Sequence, residues 1–278
     1  MIENIYDLLA LFICENEDNE SNSYLLESWC SKVIEENSFN FSNGLIGTGW
    51  LLGFLIQNDY LDGDADIVLE DFDDLFYCYF MTNQNSNHSI DFLLDLVRYF
   101  YIRITADNYS SNKYRQWAIR DCCFIILKKI LQYAEKDYEI ENIDIRVDII
   151  AKFSCFIKLE LYIALLEKSF FSMMEDTLQF IKDIGKDKIK ICSLLKLRFC
   201  IMQYGNRSWY NESKEIYDFD TIECCYDIRT KLWATALTCI ENHISRYPLE
   251  EESFSDMESS QTLFDIISSS YYFKWNKK

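Results

Sequence analysis

The chain of 278 residues contains a single proline and only seven glycines. That leaves few of the turn signals on which an all-β fold depends. No Pro-, Ser- or Gly-rich linker divides the sequence, so residues 1–278 read as one domain. Histidine is scarcer still, with only His88 and His243 present. There is no Cys-x-x-Cys pair and no Cys-His dipeptide, so the common zinc-ligand spacings are missing. The longest largely apolar stretch, Leu45–Ile56, falls well short of the ~18–20 residues of a membrane span. The opening Met1-Ile2-Glu3-Asn4 has no basic region, so no secretory signal is expected. Positive charge is nearly absent from residues 1–97, where Lys32 is the sole cation against 19 Asp and Glu.

What is present is apolar, aromatic and helical in pattern. Hydrophobic residues make up 49% of the chain, enough for a large buried core and too many for a disordered segment. Apolar positions recur at helical spacing through about eleven segments. These run from Ile2–Cys14, Tyr24–Glu36, Gly44–Asn58, Asp64–Phe80 and Ile90–Ile104 through Lys113–Ala134 and Ile145–Lys168. They continue through Met173–Ile184, Lys188–Tyr204 and Cys224–Arg246 to Ser260–Lys274. An all-α fold follows, as an irregular helical ring or array, because no repeat of fixed period is visible. In the fifth segment Asp95 and Arg98 stand at pair-forming spacing.

The net charge is −19, and nearly all of it lies in residues 1–97, whose balance is −18. Such a field repels phosphate backbones and anionic lipid and attracts basic partners. A nucleic-acid role is disfavoured, and a solvated acidic surface that keeps the protein soluble is the plain alternative. Eleven cysteines, an odd number with adjacent pairs at Cys122–Cys123 and Cys224–Cys225, do not read as a disulfide framework. Buried free thiols in a reducing cytoplasm are expected.

Four of the seven glycines, Gly44, Gly47, Gly49 and Gly53, fall within ten residues of one apolar helix. Each weakens the helix by about 1 kcal/mol relative to alanine, so something must approach the backbone closely. No Lys-Ser/Thr follows, which excludes a P-loop. No strand precedes and no βαβ alternation surrounds the motif, which argues against a dinucleotide loop. Tight helix–helix packing is the reading we favour. The run Gly44-Leu45-Ile46-Gly47-Thr48-Gly49-Trp50, continuing through Leu55-Ile56-Gln57-Asn58-Asp59-Tyr60-Leu61-Asp62-Gly63-Asp64, resembles the lanthionine synthetase C-like (LanC-like) family. The bacterial form of the family is the nearest in pattern. A fainter echo follows at Ser89–Leu93 and Tyr101–Ile104, where the family's second glycine-bearing helix has lost its glycines.

The resemblance implies an α/α-toroid, inner and outer rings of helices around a cavity. In active members a zinc ion held there activates cysteine thiols, which add to dehydrated residues and form thioether rings in a peptide. The family takes its ligands from a cysteine and a later Cys-His pair that this sequence lacks. No catalytic residue is therefore carried over. The implied role is a noncatalytic scaffold in peptide modification that binds a peptide or a partner protein. A zinc-dependent cyclase with an atypical site, and a generic helical adaptor, stand as the alternatives.

For that atypical site the candidates are Cys239 and His243, at i,i+4 on an expected helix beside the apolar stripe Trp233, Ala236, Leu237, Ile240 and Ile244. Cys224 or Cys225 would add a third ligand, although a half-buried thiol beside an interfacial imidazole is the simpler reading. Asp62, Asp64 and Asp66 imitate the start of a calcium loop, but Ile67 occupies its glycine position and Asp73 its closing glutamate. Helix capping by Asp64 is expected instead, with Asp71, Asp73 and Asp74 on an exposed face. The nineteen tyrosines and six tryptophans are read mainly as core and rim, with a peptide groove as the alternative.

Overall fold

The computed structural model describes residues 2–14, 19–84, 86–106, 112–136, 143–185, 189–216, 228–244, 247 and 257–270. Among them every regular element is an α-helix. The thirteen are α1 (Ile5–Cys14), α2 (Asn19–Glu36), α3 (Leu45–Gln57), α4 (Ala65–Val68), α5 (Glu70–Thr82), α6 (Ile90–Thr105) and α7 (Lys113–Lys136), followed by α8 (Ile143–Lys158), α9 (Ile163–Ile184), α10 (Ile191–Tyr204), α11 (Arg207–Ile216), α12 (Ile228–Glu241) and α13 (Met257–Ser269). They gather into two compact units, within Met1–Tyr133 and Ala134–Lys274. No described helix is long and apolar enough to cross a membrane.

The count exceeds eleven for identifiable reasons. Leu69, at φ −102°, interrupts the expected Asp64–Phe80 helix and separates α4 from α5. The expected Ile145–Lys168 helix ends at Lys158, and α9 then runs unbroken through the expected gap before Met173. Glu160 and Tyr162 carry that break, both at left-handed φ, while the Leu161 N–H donates back to the Phe156 carbonyl at 2.8 Å. Neither residue is a glycine, so no compositional signal marks the turn. The short polar helix α11 was not expected at all. Its start is fixed by Asn206, whose side-chain oxygen accepts from the Ser208 and Trp209 N–H groups. Asn4 and Asn112 cap α1 and α7 in the same way.

In the first unit α3 is the hub, packed against α1, α2, α4, α5 and α6. It is buried along nearly its whole length, as its unbroken apolar sequence requires. Trp29 of α2 donates from Nε1 to the Thr48 hydroxyl at 3.0 Å, and that hydroxyl donates to the Gly44 carbonyl at 2.9 Å. We expect Trp29→Phe to cost about 1 kcal/mol in urea unfolding, the typical worth of one buried hydrogen bond.

The second unit is built on α10, which packs against α8, α11 and α12. Lys196 of α10 pairs with Asp148 of α8, and Lys190 reaches Asp144 at 2.6 Å. The C-terminus of α13 has no basic residue of its own. Lys152 of α8 donates to the Ser268 carbonyl instead, and Gln203 donates to that of Ser269 at 3.0 Å. A cation from a neighbouring helix thus meets the negative end of the α13 dipole.

Candidate functional site

The glycine helix resolves as packing. A Cβ on Gly47 would lie 1.7 Å from the Phe41 carbonyl oxygen, and one on Gly44 would lie 2.4 Å from that of Ser38. On the other face, Gly49 accommodates the Tyr99 ring, 2.8 Å from its virtual Cβ, and Gly53 accommodates Ile102 at 3.2 Å. Chain segment 38–41 and α6 therefore fill the space that the four glycines leave. Leu45 and Trp50 are buried as well, the Trp50 ring stacked on Phe54 at 5.3 Å between centroids.

The contact through Tyr99 opens onto a buried polar cluster. Its phenol donates to Asp73 Oδ1 at 2.6 Å. Arg103, one turn further along α6, donates to both Asp73 oxygens from Nε and Nη2, and from Nη2 to Asp66 Oδ1 at 2.9 Å. Asp73, Tyr99 and Arg103 are each 2% exposed or less. This corrects the expectation that Asp73 lies on an exposed face with Asp71 and Asp74, which do face solvent. An arginine buried on α6 needs a counter-charge, and Asp73 is the carboxylate of α5 turned inward to meet it. Burial and the adjacent Asp73 charge both push the Tyr99 phenol well above its ordinary range. The unfolded chain ionises this phenol near its ordinary pKa of about 10 and the folded chain resists. Its stabilisation is therefore complete below that pH and is lost as pH climbs above it. Alkaline melts should show the loss, and Tyr99→Phe should reduce it.

With Asp73 and Asp66 engaged by Arg103, the outer side of α4 and α5 is left strongly acidic. Asp64 accepts from the Asp66 N–H at 2.9 Å and caps α4, as expected, rather than opening a calcium loop. Asp59, Asp62, Asp64, Glu70, Asp71 and Asp74 are exposed. Glu70, Asp71 and Asp73 also occupy the first turn of α5, where carboxylates are favoured by the helix dipole. Arg98 pairs with Asp95 at 2.6 Å, as their spacing predicts.

The structure does not place Cys239 and His243 on one helix. α12 stops at Glu241, and His243 follows in a left-handed turn at φ 57°. Cys239 is buried, whereas His243 and Ile244 are exposed, so Ile244 leaves the expected stripe while Trp233, Ala236, Leu237 and Ile240 hold it. Burial raises the Cys239 thiol. Cys224 and Cys225 lie outside the described residues. His88 stacks on Phe92 at 5.1 Å and approaches the Asn83 carbonyl at 3.0 Å. No group of three or more potential metal ligands occurs among the described residues.

The thiols differ sharply in environment. Burial pushes Cys122 and Cys200 up to about 12, while Cys78 is exposed on α5. Because the thiolate is the reactive form, maleimide at pH 8 should label Cys78 before the buried thiols of the described residues. It should leave Cys122 and Cys200 unmodified until denaturant is added, as peptide mass mapping would show. In the second unit a shallow apolar recess is lined by Leu178, Ile181, Leu194, Leu197, Arg198, Ser213 and Ile216.

Comparison with protein-family models, curated proteins and solved structures returns no match to this chain.

Proposed function

We propose that the chain is a noncatalytic relative of the lanthionine synthetase C-like proteins, a scaffold that binds a peptide or partner protein in peptide modification. The observation that carries this reading is the solvent-facing carboxylate surface of α4, α5 and the turn before them, set on a rigid support. Asp73 and Arg103 lock α5 to α6, and α6 closes on the glycines of α3. A surface so charged and so firmly held attracts and orients a basic ligand without moving. The resemblance at Gly44–Asp64 supplies the peptide-modification context. Closure of the helices into a toroid, residence in a reducing cytoplasm and a bacterial source belong to the same proposal.

Two measurements on the purified full chain test it. The first is binding of synthetic basic peptides, by equilibrium dialysis at low and at elevated salt. Saturable binding that weakens with salt is expected, and its absence would count against the scaffold. The second supplies zinc and a peptide carrying one cysteine and one dehydroalanine. Thioether formation adds S–H across the double bond without changing mass, so the readout is the thiol that remains open to alkylation. The proposal predicts an unconsumed thiol; a consumed one would favour the atypical zinc cyclase.

A further inference from the structure

The acidic surface carries apolar side chains that a purely solubilising face would not. Ile67 on α4 is 74% exposed. Nearby, Arg115 donates to the Asp66 carbonyl at 3.3 Å and pairs with Glu70. That pairing brings the first turn of α7 against α4 and the start of α5. The residues flanking Arg115 on the outside of that turn are Tyr114, 80% exposed, and Trp117, 61% exposed. Their rings meet edge to face at 5.8 Å, so they form one unit rather than two scattered side chains. Large exposed aromatics, on a turn tied through Arg115 to the residue before the exposed Ile67, are the kind of surface that partners bury, and tryptophan and tyrosine dominate the binding energy of such contacts.

The charge around the patch identifies what covers it. Asp64, Asp71 and Asp74 are exposed. Asp66, Glu70 and Asp73 already have arginine partners. Among the described residues, the exposed cations on the neighbouring helix α7 include Lys113 and Arg120. An acidic occupant would meet the exposed carboxylates of Asp64, Asp71 and Asp74, whereas a basic one meets complementary charge. Resting on the scaffold reading above, we infer that Ile67, Tyr114 and Trp117, rimmed by Asp64, Asp71 and Asp74, dock a basic amphipathic peptide segment. Its apolar side chains cover the aromatic pair, and its lysines or arginines reach the carboxylates.

The test titrates the full chain with a fluorescein-labelled amphipathic 18-mer of leucine and lysine, with its leucine–glutamate counterpart as control. Anisotropy is read at 50 and 300 mM salt. The Lys peptide should bind and the Glu peptide should not. Trp117→Ala and Ile67→Ser should each weaken binding at least tenfold, because both sites are exposed and their loss leaves the core intact. Asp71→Asn combined with Asp74→Asn should weaken it several-fold and flatten the salt dependence. If the Lys peptide binds equally to wild type and to the Trp117→Ala, Ile67→Ser double variant, the scaffold stands but this docking surface is overturned. Failure of any peptide to bind overturns both. Preference for the Glu peptide overturns the charge assignment. A wild-type chain that self-associates in light scattering through Trp117, without peptide binding, makes a second copy the occupant and overturns the inference.

Discussion

Gly47→Ala is expected to destabilise the protein by about 3 kcal/mol, the upper end of what overpacking costs. The reason is geometric. The added methyl would stand 1.7 Å from the Phe41 carbonyl oxygen, and the obstacle is backbone rather than the end of a mobile side chain. Either α3 or segment 38–41 must move. Leu45 sits in the same contact, its N–H donating to the Ser38 carbonyl at 2.7 Å, so a shift there disturbs the start of the helix as well. Gly53→Ala provides the comparison. Its methyl would meet only side-chain ends, Ile102 Cγ2 at 3.2 Å and Leu69 Cδ1 at 3.3 Å, and the helix gains about 1 kcal/mol from the better propensity of alanine. That variant should lie within about 1 kcal/mol of wild type. Urea unfolding monitored by circular dichroism separates the two cases, and equal stabilities would refute close packing as the purpose of these glycines.

Asp73→Ala should be at least as damaging, at about 3–5 kcal/mol, because it removes the buried counter-charge of the buried Arg103. Arg103 would keep only Asp66, and Tyr99 would lose the acceptor for its hydroxyl. Replacing Arg103 by leucine together with Asp73→Ala should cost clearly less than the two single changes added, since neither charge is then left alone in the interior. A double-mutant cycle by urea unfolding measures the coupling. Strict additivity would mean that the pair does not act as a unit. Because this clamp holds α5 against α6, Asp73→Ala should also weaken peptide binding although its side chain never meets the ligand.

The all-α class was legible from apolar periodicity and from the scarcity of proline and glycine. The helix–helix packing expected of the glycine helix holds at Gly49 and Gly53, whereas Gly44 and Gly47 meet the non-helical segment 38–41. Asp64 as a cap and the Asp95–Arg98 pair followed from local spacing. What escaped was decided by contacts distant in sequence. Asp71, Asp73 and Asp74 are near neighbours of one chemical type, and only the approach of Arg103, thirty residues away, turns Asp73 inward. The Tyr99-x-x-x-Arg103 spacing on the apolar face of α6 was the available signal. The break at Glu160–Tyr162 uses left-handed residues that are not glycine, and the stop of α12 before His243 is of the same kind. The exposed pair Tyr114 and Trp117 could not be told from core aromatics by pattern alone.

The central claim is that the acidic, apolar surface formed by α4, α5 and the start of α7 is where this protein meets its ligand. Hydrogen–deuterium exchange of the full chain with and without the leucine–lysine peptide tests it most directly. The account predicts slowed exchange concentrated in segments 62–78 and 112–120, with the α3 glycine helix protected alike in both states. Protection confined to the second unit, or no change under conditions where the peptide is bound, would contradict it.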